Sequence, residues 1–252
     1  MQISKADIAS LDIFLPPLPE QRRIAAILDK ADALRAKRRE AITKLDQLLQ
    51  SVFLEMFGDP VTNPKGWPKA SMQSMMSIVR GGSPRPIDNF LGGEYPWIKI
   101  GDATKGDDIY ISSTREKIIP EGLSKTRLLK SGSLIFANCG VSLGFARIIE
   151  MDGCIHDGWL ALQDIDEAQL DKLFLLKALN SITEHFRRIA PDGTQPNLNT
   201  GIMKGFELII PPLELQQKFS GIVGAVRREK LASLKAEEKL VVFWESLQGC
   251  FF

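Results

Sequence analysis

The chain has 252 residues, is 44% hydrophobic and 25% charged, and carries a net charge of +1 with its histidines neutral. That is the composition of an ordinary soluble globular protein, one large domain or two modest ones, with no whole-chain basic field to draw it toward nucleic acid. No apolar run approaches the roughly 20 residues that span a bilayer, and no signal-type stretch opens the chain. Cys139, Cys154 and Cys250 are too few and too widely spaced for a disulfide framework. Together these features predict a cytoplasmic protein with unpaired thiols and no membrane.

The first predicted element follows LPPLPEQRRI at 15–24. Apolar residues from Ile24 and Ile27 through Leu45, Leu48 and Leu49 to Phe53 and Phe57 recur at intervals of three, four and seven, which predicts one amphipathic helix over 19–57. Pro19 suits its first turn, Gly58-Asp59-Pro60 stops it, and at 1.5 Å per residue it reaches roughly 55–60 Å. Residues 61–210 then change character. YPWIKI (95–100), DIYIS (108–112), GSLIFANC (132–139), FARIIE (145–150) and FELIIP (206–211) read as strands, bracketed by glycine, proline and serine turns. One helical stretch, 170–189, interrupts them. A second long helix runs from Pro212 to the C-terminus, with Phe219, Ile222, Val223, Val226, Leu240, Phe243, Trp244, Leu247 and Phe251 as its stripe. Matching stripes that recur near every 3.5 residues predict a coiled-coil crossing of the two helices.

The chain also repeats itself. IPPLELQQKF at 210–219 restates LPPLPEQRRI 195 residues later, and the ungapped offset pairs Ile13 with Leu208, Leu18 with Leu213, Gln21 with Gln216, Ile27 with Ile222, Leu45 with Leu240 and Phe57 with Phe252. An apolar pattern kept over some fifty residues is an internal repeat rather than a chance match of Pro-Pro-Leu.

Signatures of catalysis are missing. GGSPRP and NCGVSLG have glycines but no phosphate-loop lysine, and no glycine-rich strand-to-helix turn suits a dinucleotide or methyl donor. The two Pro-Pro pairs belong to the repeat and not to an amino-methyltransferase tetrapeptide. Cys139, Cys154 and His156 lack Cys-x-x-Cys spacing and a fourth ligand, so no metal is expected. His156 beside Asp157 is adjacent in sequence only, and His185 reads as a surface or half-buried histidine. The expectation is a chain that catalyses nothing by itself and needs no cofactor.

Polar loop residues carry more. Arg80, Ser83, Arg85, Lys99, Lys105, Arg115, Lys117, Lys125 and Arg127 lie in or beside turns, and bases slightly outnumber acids between Arg80 and Arg147. Solvated surface charge is the default reading of each; as a set they suit phosphate contacts from a loop-rich face. GTQPNLN (193–199) is the densest amide run, fit either to read adenine or to make turns and caps. Its position before the last strand favours the structural role. Arg22, Arg23, Arg35, Lys37, Arg38 and Arg39 crowd the first helix, as a solvated face or as a contact with DNA or an acidic partner.

The stretch LPPLPEQRRIAAILDKADALRAKRREAITKLDQLLQSVFLEMFGD resembles the conserved helical region of specificity subunits of type I restriction–modification enzymes. GGSPRP, YPWIKIGDATKG, LKSGSLIFANCGVSLGFARII and GTQPNLNTGIMKGFELIIPPLELQQKF are similar to successive signatures of that family's target-recognition domain. The resemblance covers nearly the whole chain. It implies an α+β protein in which one globular α/β target-recognition domain is inserted between two long amphipathic helices packed as an antiparallel coiled coil. The implied division is 1–18 for the end of a recognition domain, 19–58 for a conserved long helix, 59–211 for the DNA-binding domain and 212–252 for the second conserved helix.

It further implies a non-catalytic DNA sequence-specificity subunit that reads one half of a bipartite site in double-stranded DNA. Methyltransferase (modification) subunits and a restriction subunit would assemble around it. Phosphate contacts are expected from Arg80, Arg85, Lys99, Lys105 and Arg127, and base reading from the Ser83–Arg85 loop, Asn138 and Gln195 or Asn197. Full-length members carry two recognition domains, whereas this sequence has one. Either the chain is a half-size subunit, expected to form a homodimer through the long helices, or it is the C-terminal part of a longer product. The alternative function is a coiled-coil interaction protein or decoy that reads no DNA, which the near-neutral charge supports.

Overall fold

The computed structural model describes residues 16–104, 106–191 and 197–251. In chain order the elements are α1 (Leu18–Phe57), β1 (Lys69–Ser71), α2 (Met72–Met75), β2 (Ser77–Arg80), β3 (Leu91–Ile98), β4 (Tyr110–Ile111), β5 (Glu116–Ile118), β6 (Arg127–Leu129), β7 (Leu134–Ala137), β8 (Ala146–Ile149), β9 (Gly153–Ile155), β10 (Trp159–Gln163), α3 (Lys172–Ser181), α4 (Thr183–Ile189), α5 (Thr200–Gly205), β11 (Glu207–Ile209) and α6 (Leu213–Phe251). Ile13, singled out by the repeat, lies outside the described residues. None of the described helices is long and apolar enough to cross a membrane.

The repeated sentence writes the same helix start twice. In α1 the amides of Glu20 and Gln21 donate to Pro17 O at 2.9 and 3.1 Å; in α6 those of Leu215 and Gln216 donate to Pro212 O at 2.9 and 3.2 Å. The glutamine then folds back. Gln21 Nε2 donates to Pro16 O and Gln216 Nε2 to Pro211 O, both at 2.7 Å. Proline fixes φ and has no N–H to leave unsatisfied, so a Pro-Pro pair can enter a helix at once, and the glutamine ties down the carbonyl just before it. The end of α1 is equally local. Gly58 takes φ +75°, its N–H donates to Leu54 O at 2.9 Å, and Trp67 Nε1 donates to Phe57 O at 2.9 Å. A left-handed glycine cap closes the helix as the sequence predicts.

Two compact units divide the chain. One comprises residues 1–49 with 224–252, the other residues 50–223. In the first, Arg39 Nη2 lies 3.0 Å from Glu237 Oε1, Arg38 Nη1 donates to Ala236 O at 2.8 Å, and Lys230 Nζ lies 2.7 Å from Asp46 Oδ1. Position 39 meets 237 while 46 meets 230, so these stretches of α1 and α6 run in opposite directions. Partly exposed pairs of this kind contribute at most about 1 kcal/mol each and set direction more than strength. Arg23 and Arg35 pair within α1, with Glu20 and Asp32, so much of the crowded positive charge is already engaged. Leu34, Leu48 and Leu234 remain 42%, 49% and 43% exposed. Leu240, Phe243, Trp244, Leu247 and Phe251 lie outside the residues whose side chains are described.

The second unit holds three sheets. β1 pairs with β11; a five-stranded sheet runs β2-β10-β7-β8-β4; a four-stranded sheet runs β5-β3-β9-β6. The pairs β4–β8 and β3–β9 are parallel and the others antiparallel. Ile98, Leu129 and Ile155 of the smaller sheet share one buried cluster with Ile111, Ile135, Ala137, Ile149, Trp159 and Ala161 of the larger. A second centre is aromatic. Phe57 lies 4.7 Å from Phe174 and 5.5 Å from Phe219, ring centre to ring centre, and Phe53 lies 5.4 Å from Phe219. Tilted and edge-on pairs at these distances are each worth about 1 kcal/mol beyond their burial.

Two expectations need correction. The helix expected over 170–189 is two, because Ile182 (φ −114°, ψ 23°) breaks it. Around that break Thr183 Oγ1 donates to Gly144 O at 2.6 Å, and Asn180 Oδ1 accepts from Ala146 N at 2.6 Å, so the chain is held to the loop before β8 instead of continuing. At its start the Asp171 carboxylate caps Leu173 N and Phe174 N, both at 2.9 Å. The described residues also form eleven strands where the sequence predicts five. β1, β2, β5, β6 and β9 have only three or four residues, too short for a period, and β10 (WLALQ) is buried on both faces and shows no alternation.

The helix starts differ in depth, and stability should report it. Gln216 is fully buried, its Oε1 accepting from Asp171 N at 2.9 Å and its Nε2 also donating to Gln169 O at 2.9 Å, whereas Gln21 is half-buried. In denaturant titration, Gln216→Ala should cost about 2–4 kcal/mol by orphaning buried backbone groups, against about 1 kcal/mol or less for Gln21→Ala.

Candidate nucleic-acid interface

Strand directions bring the loops of both sheets to one end. β3 and β9 are parallel, so Lys99 after β3 and His156 after β9 leave on the same side. β5 and β6 are antiparallel to these neighbours, which returns Glu116 and Arg127, their first residues, to that side. In the larger sheet, Arg80 at the end of β2 pairs with Leu160 near the start of β10, and Trp159 pairs with Ala137 at the end of β7. Residues 156–158 join β9 of one sheet to β10 of the other. The ends of both sheets therefore meet at this turn.

The GGSPRP segment is laid against it. A Cβ on Gly81 would stand 2.3 Å from His156 O, and one on Gly82 2.5 Å from Lys125 O, so only glycine permits the approach. Gly81 N donates to Trp159 O at 2.9 Å and Gly82 N to Ile155 O at 3.1 Å. Beyond the glycines, Ser83 Oγ donates to Asp157 Oδ1 at 2.9 Å, Arg80 Nε donates to Asp157 O at 2.8 Å, and Arg85 Nη2 stands 3.5 Å from Asp157 Oδ2. Arg127 Nε donates to Arg80 O at 3.1 Å. Arg80 and Arg127 are thus tethered by Nε, while their Nη groups meet no partner among the described residues.

Asp157 is the hub of these contacts, although it is not among the polar loop residues that the sequence singles out. His156 Nε2 lies 3.0 Å from its Oδ1, and His156 Nδ1 accepts from Gly158 N at 2.9 Å. Acceptance at Nδ1 describes a neutral ring that braces the turn, with Nε2 in electrostatic contact with the carboxylate. Burial above all pushes the His156 pKa below its ordinary 6.5, with Lys99, Arg85 and Arg80 adding to it against the pull of Asp157. For Asp157 burial pushes upward, but the Ser83 hydroxyl and the charges of His156, Arg80 and Arg85 outweigh it and hold the carboxyl below its ordinary 3.8. A turn in which a histidine and an aspartate precede glycine, in a chain with a Gly-Gly-Ser elsewhere, was the available signal.

The remaining candidates divide. Lys99 Nζ pairs with Glu116 and sits 5.4 Å from the Trp97 ring centre, while Arg115 Nε is 3.9 Å from Asp102 Oδ1 and largely exposed. Asn138 is fully buried. Its Nδ2 donates to Asn197 Oδ1 at 3.0 Å, and its backbone ties to Gly158 O at 3.0 Å and Leu198 N at 2.8 Å. A residue so placed positions its neighbours, and Asn197, bridged to Cys139, belongs to the same clasp. Asn199 caps α5 by accepting from Ile202 N at 3.0 Å, a structural use of that amide-rich run. Lys105 and Gln195 lie outside the described residues. Cys139 and Cys154 are free thiols, the second pushed by burial up to about 11. Among the described residues no group of three His, Cys, Asp or Glu is placed to hold a metal.

Acid should loosen this turn. A depressed histidine pKa means the fold holds the neutral ring, so its stabilisation is present above pH 6.5 and is lost as pH falls through the lowered folded value. Between about pH 7.5 and pH 5 the wild-type denaturation midpoint should fall, and His156→Gln should flatten that part of the profile; equal slopes would contradict the brace.

The family model described as "Type I restriction modification DNA specificity domain" matches residues 1–44 and 64–241. The type I restriction enzyme MjaIX specificity subunit of Methanocaldococcus jannaschii is 23% identical over 163 residues, covering 64% of this chain and 38% of that protein. Among solved structures, the HsdS subunit from Thermoanaerobacter tengcongensis superposes with a TM-score of 0.60 at 23% identity, covering 94% of this chain and 59% of that one. The S subunit from M. genitalium gives 0.64 at 17% identity, covering 99% and 65%. The chain thus spans less than two thirds of each of these relatives, and the structural likenesses speak for the fold. By the extent of the family match, the chain belongs to the DNA specificity subunits of type I restriction–modification systems.

Proposed function

We propose that the chain reads one half of a bipartite double-stranded DNA site through the edge centred on turn 156–158. The supporting observation is convergence. Arg80, Ser83, Arg85, Lys99 and Arg127, scattered along the sequence, gather where both sheets end, with the Arg80 and Arg127 guanidinium tips turned to solvent. Phosphates need such tethered cations to fix register, and bases are read from the loop between them. In this reading 59–211 is the recognition domain, and 19–58 and 212–252 are spacer helices forming an antiparallel coiled coil. The exposed Leu34, Leu48 and Leu234 then suit partner helices, from modification subunits or a second copy, with the restriction subunit joining that assembly. The chain supplies recognition and its partners the chemistry.

Charge removal tests the edge. Arg80→Gln, Arg85→Gln and Arg127→Gln should each weaken binding to all duplexes alike and lower the slope of log affinity against log salt by about 1, read by fluorescence anisotropy. Unchanged slopes would place the interface elsewhere. Co-expression with the cognate modification subunit and mapping of methylated adenines tests the whole reading. A palindromic two-part motif is expected if two copies act together, and no new methylation from an assembled complex would contradict it.

A further inference from the structure

The two oxygens of Asp157 are used unequally. Oδ1 is filled from within, accepting from Ser83 Oγ at 2.9 Å and lying 3.0 Å from His156 Nε2. Among the described residues Oδ2 meets only Arg85 Nη2 at 3.5 Å, beyond hydrogen-bond length, and that arginine is 79% exposed. The Ser83 hydroxyl therefore holds one oxygen, and the other, on a carboxylate 31% exposed, keeps acceptor capacity to spare. Its surroundings matter as much. Arg80, Arg85 and Arg127 flank it and attract phosphate, whereas a carboxylate repels phosphate at that spot. A duplex laid on this edge places its backbone on the flanks and a groove over the centre. In the major groove the group that a carboxylate recognises is an exocyclic amino donor, above all cytosine N4.

We propose that Asp157 is a specificity-determining residue whose Oδ2 accepts a hydrogen bond from cytosine N4 in the major groove, with Ser83 and His156 as the residues that position it. This rests on the DNA-reading function proposed above. Arg85 gives up little in turning from Oδ2 to a phosphate.

The test is selection of bound duplexes from a randomised library by the full chain co-expressed with its modification subunit, for wild type, Asp157→Asn and Ser83→Ala, with thermal melting as the control for folding. The wild type should require cytosine at one position of the half-site. Asp157→Asn should lower that requirement by about tenfold and admit adenine, which an amide can pair, while other positions stay as they were. Ser83→Ala should blur the same position more weakly. If Asp157→Asn does not fold, Asp157→Glu, which keeps the charge and moves the oxygen, is read on the same library. A folded variant at position 157 with the wild-type motif at full stringency, or with a uniform loss at every position, would overturn the assignment. A wild-type complex that selects no motif would instead overturn the DNA-reading function on which it rests.

Discussion

A turn of His156, Asp157 and Gly158 is all that separates the last residue of β9 from the first of β10, and those strands belong to different sheets. That shortness is the constraint on which the rest depends. The two sheets must bring their ends together there, share the cluster around Trp159 and Ile155, and send every neighbouring loop out on the same side. The Gly81-Gly82 segment packs backbone to backbone on the turn because a side chain would collide with a carbonyl. Asn138 clasps its other flank to the segment at 197–198. Loops held this closely are preorganised, the property a recognition surface needs if little binding energy is to go into ordering it.

The long helices rest on a separate device used twice. A Pro-Pro pair followed by a glutamine that turns back to the preceding carbonyl begins α1 and α6 alike, half-buried in the first and fully buried in the second. At α6 the same amide also holds Gln169 and Asp171, and the Asp171 carboxylate caps α3. One side chain therefore links the start of α6 to the helix that supplies Phe174 to the aromatic centre.

The sequence made the long elements legible and the short ones obscure, for physical reasons. α1 announces itself because forty residues give many turns over which a stripe can repeat, and Gly58 ends it by a backbone conformation that other residues resist. A strand such as β9 (GCI) has no room for a period, and its place in the sheet is decided by partners distant in the chain. The same holds for the edge. Arg80, Ser83, Arg85, Lys99 and Arg127 could be singled out as polar residues in turns, but strand order alone brings them together. By polarity Asn138 reads as a base contact, and it is buried; in the sequence Asp157 stands only as the neighbour of His156, and it is the centre of the cluster. Polarity marks residues with something to bond, and topology decides whether the partner is inside or outside.

Hydrogen–deuterium exchange of the complex with and without a cognate duplex tests the central claim most directly. New protection confined to the loops at 80–86, 99–102, 115–117, 125–127 and 156–158 is the result this account predicts. Protection that leaves turn 156–158 unchanged and appears instead on the opposite ends of the strands, around 131–133 and 163–167, would contradict it.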